Sequence, residues 1–151
     1  MSGVSRGSDP GTRAWECVVA GNVLHTFATA VDAQDLRATL ACFRPDAILE
    51  TPSAVHRGHQ EIAAFFTEAW RRDPSDKRHF VTAPRVTWIE PGLVRLETYF
   101  CFTGRLPDQS ILGWGEYDDL VDVSGDEPRF VRIHLQNHLR TDLAAGWVAD
   151  E

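Results

Sequence analysis

The sequence predicts an α+β domain, with helices packed on one face of a curved, mainly antiparallel sheet. Before about residue 78, apolar residues recur at three- and four-residue steps, which is typical of amphipathic helices. After it, β-branched and aromatic runs alternate with short segments rich in Gly and Pro, which is typical of strands joined by turns. A chain of 151 residues is long enough to bury one core without disulfides or metal.

Three helices are predicted in the first half of the chain. The first covers residues 14–31 and the third covers residues 59–72, because both carry an apolar stripe. Between them, Asp35 is a candidate N-cap for a short helix over residues 35–43, which must end before Pro45 because the residue before a proline disfavours helical geometry. The two stripes contain Trp15, Val18, Val19, Val23, Phe27, Ala30 and Val31, and then Ile62, Phe65, Phe66, Ala69 and Trp70.

A short strand is predicted at residues 46–51, before the third helix, and the other strands follow residue 78. Their turns carry the sequences "EPG", "GRLPD" and "SGDEP". The β-type runs themselves cover residues 79–90, 92–104, 110–123 and 129–141.

The ends of the chain differ in composition from its middle. Residues 1–13 are rich in Gly, Ser and Arg and have no apolar core of a secretory signal, so we expect a disordered tail. A single domain over residues 14–145 and a C-terminal tail at 146–151 complete the predicted organisation. No apolar run approaches the roughly 20 residues of a membrane span, so we expect a cytoplasmic protein that does not bind membranes.

Charge and cysteine content exclude several classes of protein. The formal net charge of −7 would repel nucleic acid. Three widely spaced cysteines, Cys17, Cys42 and Cys101, indicate free thiols in a reducing compartment. The pairs His56/His59 and His134/His138 lack the accompanying ligands of a zinc site, and no phosphate-binding glycine loop occurs, so neither metal nor cofactor is predicted.

Three segments resemble the SnoaL-like branch of the nuclear-transport-factor-2-like superfamily. They are "FATAVDAQDLRATLACFRPDAILETPSAVHRGHQEIAAFF", "RHFVTAPRV" and "GWGEYDDLV", and with their spacing the resemblance covers roughly residues 20–139. The resemblance implies a cone-shaped α+β barrel that encloses one deep pocket, often in a homodimer. Because this superfamily contains dehydratases, isomerases, cyclases, epoxide hydrolases and non-catalytic members, the fold alone settles no function.

Two residues match the positions that scytalone dehydratase and the bile-acid dehydratases use for catalysis. The resemblance implies that Asp32, after the first helix, and His79, at the start of a later strand, form an acid–base pair. A carboxylate on one imidazole nitrogen fixes the tautomer, so that the other nitrogen can move a proton. One departure from the bile-acid type is Phe27, where a tyrosine is expected. Each residue also has a structural interpretation: Asp32 as a helix terminator and His79 as a strand residue bonded to backbone.

Alternation along the strands predicts which polar side chains enter the pocket. Asn137 shares a face with apolar residues of the last strand, although a bond to backbone explains it equally well. Trp114 and Glu116 share a face with Leu112, and an exposed strand carboxylate is the alternative for Glu116. The candidate substrate-binding residues are Phe27, Glu50, Phe66, Trp88, Phe100, Trp114, Glu116 and Asn137, and the aromatic lining also includes Phe65, Phe80 and Phe102.

The predicted function is that of a cofactor-independent dehydratase, isomerase or cyclase acting on an apolar cyclic molecule such as a polyketide, terpenoid or steroid. One alternative is a non-catalytic ligand-binding or assembly module, which a filled core would favour. Another is an epoxide hydrolase that uses Arg95 and Glu97, although alternation suggests that both face outward. A ketosteroid-isomerase type is less compatible, because Thr51, next to Glu50, replaces its aspartate and Phe27 its tyrosine.

Overall fold

Three helices pack against one face of a curled, unclosed sheet of seven strands in the computed structural model, which describes residues 9–143. The predicted α+β architecture is therefore confirmed. We call the sheet face that meets the helices the inner face and the opposite one the outer face. The elements are α1 (Pro10–Asp32), α2 (Leu36–Ala41), β1 (Phe43–Glu50), β2 (Val55–Arg57), α3 (Gly58–Arg72), β3 (Asp76–Val81), β4 (Arg85–Glu90), β5 (Leu93–Arg105), β6 (Ser110–Asp122) and β7 (Arg129–Leu143).

The strand order is β2-β1-β7-β6-β5-β3, and β4 also pairs with β5. All of these pairs are antiparallel except β1 with β7, which is parallel. The run at residues 79–90, which reads as one β segment, is divided between β3 and β4 around Pro84. Gly92 turns the chain from β4 into β5 with φ of +81°, a conformation that glycine adopts without steric cost.

Helix α1 begins at Pro10, earlier than the predicted residue 14. The Asp9 carboxylate accepts a 3.0 Å hydrogen bond from the Thr12 amide, and proline suits the first helical position because it has no N–H to satisfy. Residues 10–13 of the predicted tail are thus helical, while 1–8 and the predicted tail 146–151 lie outside the described residues. The Asp35 cap of α2 is confirmed by a 2.9 Å bond from the Ala38 amide.

Trp88 contacts the N-terminal half of α1 and does not line the pocket, so its prediction as a substrate-binding residue is wrong. Its indole N–H donates to Glu16 Oε2 at 2.6 Å, and Glu16 Oε1 accepts from the Gly92 amide at 3.2 Å. The Arg13 guanidinium lies 4.4 Å from the centre of the Trp88 ring. These contacts explain why the helix extends beyond its apolar stripe, whose first members, Trp15 and Val18, are exposed.

An aromatic cluster forms the centre of the core between α1, α3 and the sheet. The Phe27 ring meets the rings of Phe43, Phe66 and Phe130 edge-on, with centroids 5.5 to 6.0 Å apart. Edge-to-face packing of this kind adds about 0.5–1.5 kcal/mol per pair beyond the burial of area. The cluster therefore fixes α1 over the sheet and, with it, the position of Asp32 at the end of the helix. Within residues 9–143, no helix is both long and apolar enough to cross a membrane.

Candidate active site

Asp32 and His79, separated by 47 positions in the sequence, lie in direct contact. Asp32 is the last residue of α1, and His79 projects from the inner face of β3. Asp32 Oδ1 lies 2.5 Å from His79 Nδ1, and Asp32 Oδ2 accepts a 2.8 Å hydrogen bond from the His79 amide. The carboxylate therefore holds the histidine at both its ring and its backbone.

This contact determines which imidazole nitrogen can act as a base. A carboxylate accepts hydrogen bonds, so Nδ1 of His79 carries the proton and Nε2 carries the lone pair. The side chains of His79 and Asp32 are only 15% and 12% exposed, which limits competition from water. The imidazole also lies beside the rings of Phe100 and Phe102, with centroids 6.2 and 5.6 Å away. The arrangement can take a proton from a molecule in the adjacent space and return it.

A cavity of about 160 Å³ lies next to His79. Its walls are mainly apolar, and Phe27 and Phe66 are among the lining residues, as the sequence predicted. An engineered cavity of about 150 Å³ with apolar walls holds benzene, so this one matches a single ring. The lining consists of Phe27, Ala28, Val31, Leu49, Phe65, Phe66, Ala69, Trp70, Lys77, His79, Tyr117, Ile133 and Leu135.

The cavity adjoins a wider groove of about 980 Å³, which shares Phe65, Ala69 and Lys77 with it. Lys77 lies two residues before His79 on the same side of β3, and its Nζ is 2.7 Å from Asp73 Oδ2. The side chains of this ion pair are 22% and 19% exposed. A charged pair therefore lies between the apolar interior and the open groove.

Tyr117 contributes a hydroxyl group to the cavity that the sequence analysis missed. It lies on the inner face of β6, is 8% exposed, and stacks on Phe100 with ring centroids 4.4 Å apart. Burial is the main cause that raises the pKa of Tyr117, and the negative charge of the Asp32 carboxylate adds to it. The phenol is therefore neutral over the working pH range and can donate a hydrogen bond. The alternation that placed Glu116 inward would have identified Tyr117 if the opposite face had been chosen.

Asp119, two residues beyond Tyr117 on the same face of β6, is completely buried. Neither carboxyl oxygen has a hydrogen-bond partner among the described residues. Burial raises the pKa of Asp119 well above its usual range, and the nearby His134 amide and Arg132 offset only part of this effect. The group is therefore a neutral acid, since an unpaired charge in such a place would be far more costly.

Trp114 and Glu116 point away from the cavity, so their predicted inward orientation is wrong. Both lie on the outer face of β6, where the Trp114 residue is 43% exposed and the Glu116 side chain 41%. The alternate positions Gly113, Gly115 and Tyr117 are the buried ones. The strand therefore presents its two glycines and its tyrosine to the interior.

The glycines face inward because aromatic rings from β5 occupy the space above them. A Cβ atom on Gly113 would lie 2.5 Å from Cε1 of the Phe102 ring, and one on Gly115 would lie 2.7 Å from the Phe100 ring and still closer to the Gln136 carbonyl oxygen of β7. Both distances are far inside van der Waals contact. The largest side chain of this segment, Trp114, is thereby excluded from the interior despite its apolar character.

Asn137 shares the inner face of β7 with Ile133 and Leu135, as the alternation predicted, but it lies outside the cavity. The ladder between β6 and β7 changes register at Val131 and again at His138, and each such bulge interrupts the two-residue alternation. Ile133, Leu135 and Asn137 all lie between the bulges and keep the alternation, and Asn137 pairs with the inward-facing Gly115. Ile133 and Leu135 line the cavity, whereas Asn137 lies further along the strand, where it is exposed and borders the wider groove.

Glu50 and Phe80 are also placed elsewhere than the sequence predicted. Leu49 enters the cavity from β1, so its neighbour Glu50 points to the other side of the strand. Phe80 is 58% exposed because it alternates with His79 on β3. Neither side chain lines the cavity.

Arg95 and Glu97, the residues of the epoxide-hydrolase alternative, do not line the cavity. Arg95 Nη2 lies 2.7 Å from Asp118 Oδ2, and Arg85 Nη2 lies 2.6 Å from Glu97 Oε1. These ion pairs occupy the outer face of the sheet, where Glu97 and Asp118 border a groove of about 580 Å³. That groove is larger than the cavity, but its lining is mainly polar and it lies on the face opposite His79.

Comparison with known proteins gives one family match and many similar structures. The model of the SnoaL-like domain matches residues 20–145. No curated protein matches the chain by sequence. Many solved structures do match it by fold.

Three of these structures are similar over almost the whole chain. A type 2 hexachlorocyclohexane dehydrochlorinase, LinA, has a TM-score of 0.81 at 16% identity, covering 94% of this chain and 98% of its own. LinA type 3 from Novosphingobium barchaimii LL02 has a TM-score of 0.81 at 17% identity, covering 94% and 100%. A candidate scytalone dehydratase from Novosphingobium aromaticivorans has a TM-score of 0.79 at 14% identity, covering 95% and 99%. At these identities the likeness concerns the fold.

Proposed function

The chain belongs to the SnoaL-like domain family, and from that premise we propose that it is an enzyme that removes a small molecule from an apolar ring compound, without a cofactor, by acid–base catalysis through Asp32 and His79. One observation carries the proposal: the carboxylate and the imidazole are in contact at the edge of an apolar cavity. A histidine held only for structure would not need its second nitrogen directed at such a space.

The reaction requires only one group that moves a proton. Nε2 of His79 takes a proton from a carbon atom of the ring, and the electron pair of that C–H bond forms the new double bond. The bond from the adjacent carbon to its leaving group breaks, and the leaving group takes the bonding electrons. For a hydroxide leaving group, His79 returns the proton and water departs. Asp32 keeps its charge throughout and stabilises the imidazolium that forms between the two transfers.

The size of the cavity favours a substrate with one six-membered ring inside it. Larger molecules of the polyketide, terpenoid or steroid type would have to extend past Lys77 into the wider groove. Two of the similar structures are named for the loss of hydrogen chloride and one for the loss of water. Elimination is therefore preferred here over isomerisation, cyclisation and epoxide opening.

A substrate panel tests the proposal. The panel contains cyclic β-hydroxyketones, polychlorinated cyclohexanes and cyclic epoxides, and the readout is alkene or diol formation by mass spectrometry, with tight-binding members measured by calorimetry. We expect wild-type protein to form alkene from at least one member and the Asp32→Asn/His79→Ala double variant to form none. Binding of panel members without turnover by either protein would favour the non-catalytic ligand-binding module instead.

We also propose that the outer face of the sheet joins two copies of the chain in a homodimer. Three large apolar side chains are exposed there, Tyr99 (61%), Trp114 (43%) and Leu139 (52%), and the last two are direct cross-strand partners. An apolar surface of this kind on a sheet face is typical of an interface.

The dimer is testable by sedimentation of two matched variants. Trp114→Asp should convert a dimer into a monomer because it buries a charge at the interface. Trp15→Asp alters another exposed tryptophan, on α1, which is 66% exposed, and should leave the mass unchanged. A monomeric wild type, or a dimer that survives Trp114→Asp, would overturn this part of the proposal.

A cytoplasmic location is supported by the thiols. Cys17, Cys42 and Cys101 are all free, as expected in a reducing compartment. Burial is the main cause that raises the pKa of Cys42 to about 11, so this thiol stays protonated and unreactive.

A further inference from the structure

The cavity contains one neutral hydroxyl group, and nothing in the proposed proton transfer uses it. Tyr117 is held from two sides: its ring stacks on Phe100 at 4.4 Å and meets the edge of Phe27 at 6.4 Å. Phe27 occupies the α1 position where a tyrosine was expected, and it brings no hydroxyl. The phenol of this site therefore comes from the sheet instead of the helix.

The position of Tyr117 relative to His79 suits a donor to the substrate. Both residues line the same cavity, and Phe100 lies between them, in contact distance of each ring. A ring of substrate size inside the cavity would thus meet the imidazole on one side and the phenol on another. The lining has two other side chains with polar groups: Lys77, which is already engaged by Asp73, and Trp70, which carries an indole N–H.

We propose that Tyr117 is a third catalytic residue, which donates a hydrogen bond to a carbonyl oxygen of the substrate. The preferred substrates are therefore cyclic ketones with a leaving group β to the carbonyl. The inference rests on the proposed function, because it assumes that His79 removes the proton. When His79 takes the proton from the carbon beside the carbonyl, negative charge develops on the carbonyl oxygen. A neutral donor fixed by two aromatic rings stabilises that charge without reorganising.

The balance of the step is simple. The proton moves from carbon to His79 Nε2, and the electrons of the C–H bond form the enolate. The enolate then expels hydroxide from the β carbon. His79 returns the proton to this hydroxide, so that water leaves. Tyr117 keeps its own proton and only strengthens its hydrogen bond. A polychlorinated cyclohexane has no oxygen to accept this bond, so the phenol should not assist loss of hydrogen chloride.

The test compares Tyr117→Phe with Tyr99→Phe, a matched control because the chain has only these two tyrosines and Tyr99 is 61% exposed on the outer face. The assays are turnover of a cyclic β-hydroxyketone, turnover of a polychlorinated cyclohexane, and affinity for the unreactive parent cyclic ketone. We expect Tyr117→Phe to lower ketone turnover about 10²-fold and to weaken binding of the parent ketone, with Tyr99→Phe changing neither.

The outcomes separate this inference from the proposed function. If His79→Ala abolishes ketone turnover while Tyr117→Phe preserves both turnover and ketone affinity, only the role of Tyr117 is overturned. If His79→Ala leaves turnover intact, the proposed function itself fails. Equal losses of ketone and chlorinated-substrate turnover in Tyr117→Phe would mean that the hydroxyl acts without a substrate carbonyl, because phenylalanine keeps the ring and a chlorinated cyclohexane has no oxygen to bind, and would also overturn the inference.

Discussion

Replacing His79 with alanine is expected to lower turnover by roughly 10²–10⁴-fold, the range typical of general acid–base groups. The substitution removes the proton acceptor but keeps β3 in place, because this strand pairs with β5 through its backbone. Folding, monitored by circular dichroism and thermal unfolding, should therefore be retained. The matched control is His25→Ala, which alters an exposed histidine on α1 and should leave turnover unchanged.

Asp32→Asn should lose less activity than His79→Ala, because the imidazole stays in the cavity with a poorly fixed tautomer. The double variant should be no slower than His79→Ala alone, since Asp32 acts only through the histidine. Equal and additive losses would show that Asp32 contacts the substrate independently. Wild-type turnover by folded His79→Ala would show that the histidine is structural.

Asp119→Asn is expected to make the protein more stable than wild type at pH 8, but not near pH 4. The folded-state pKa of Asp119 lies well above the ordinary value of 3.8, so the folded protein holds a proton that the unfolded chain releases. Its contribution to stability is complete below pH 3.8 and is lost as the pH rises toward the folded pKa. Asparagine has the same size and never ionises, so the variant escapes this loss.

Urea unfolding of the wild type and of Asp119→Asn between pH 4 and pH 8 measures the effect as the difference between their free energies of unfolding. Carboxylates with lowered pKa, such as Glu68 beside Arg71 and Arg72, act in the opposite direction, but they are common to both proteins and cancel. We expect the gain to grow by about 1.4 kcal/mol for each pH unit above the ordinary pKa of 3.8, until the pH reaches the folded-state pKa. Asp126→Asn, in an exposed loop, should show none. A gain that is the same at every pH would contradict a neutral Asp119.

Periodicity predicted the helices and the change to strands, because the apolar face of each element meets one core. It also put Phe27 and Phe66 in the interior, where they line the cavity. It failed on β6, where the choice of face depends on Phe100 and Phe102, which lie on another strand above Gly113 and Gly115. No pattern within β6 contains that information.

The contact between Asp32 and His79 was accessible only through resemblance, since nothing local to either residue indicates the other. Asn137 has the predicted face but lies beyond the cavity, because the alternation gives the face of a strand and not how far the cavity extends along it. The bulge at His138, which no Gly or Pro marks, moves Leu139 instead to the outer face beside Trp114. Tyr117 and Asp119 were missed because the wrong face of β6 was chosen. The polar groups of the interior were thus the hardest to predict, since they follow three-dimensional packing.

The parallel pairing of β1 with β7 has a consequence for the order of events during synthesis. Phe43 on β1 is covered by Phe130 on β7, and β1 emerges from the ribosome long before β7. Until β7 arrives, β1 has only the short strand β2 as a neighbour, and the aromatic cluster around Phe27 is open to water and to other nascent chains. Contacts between such distant segments slow folding and prolong the exposure of apolar surface. The aromatic cluster is thus closed only after β7 has been synthesised.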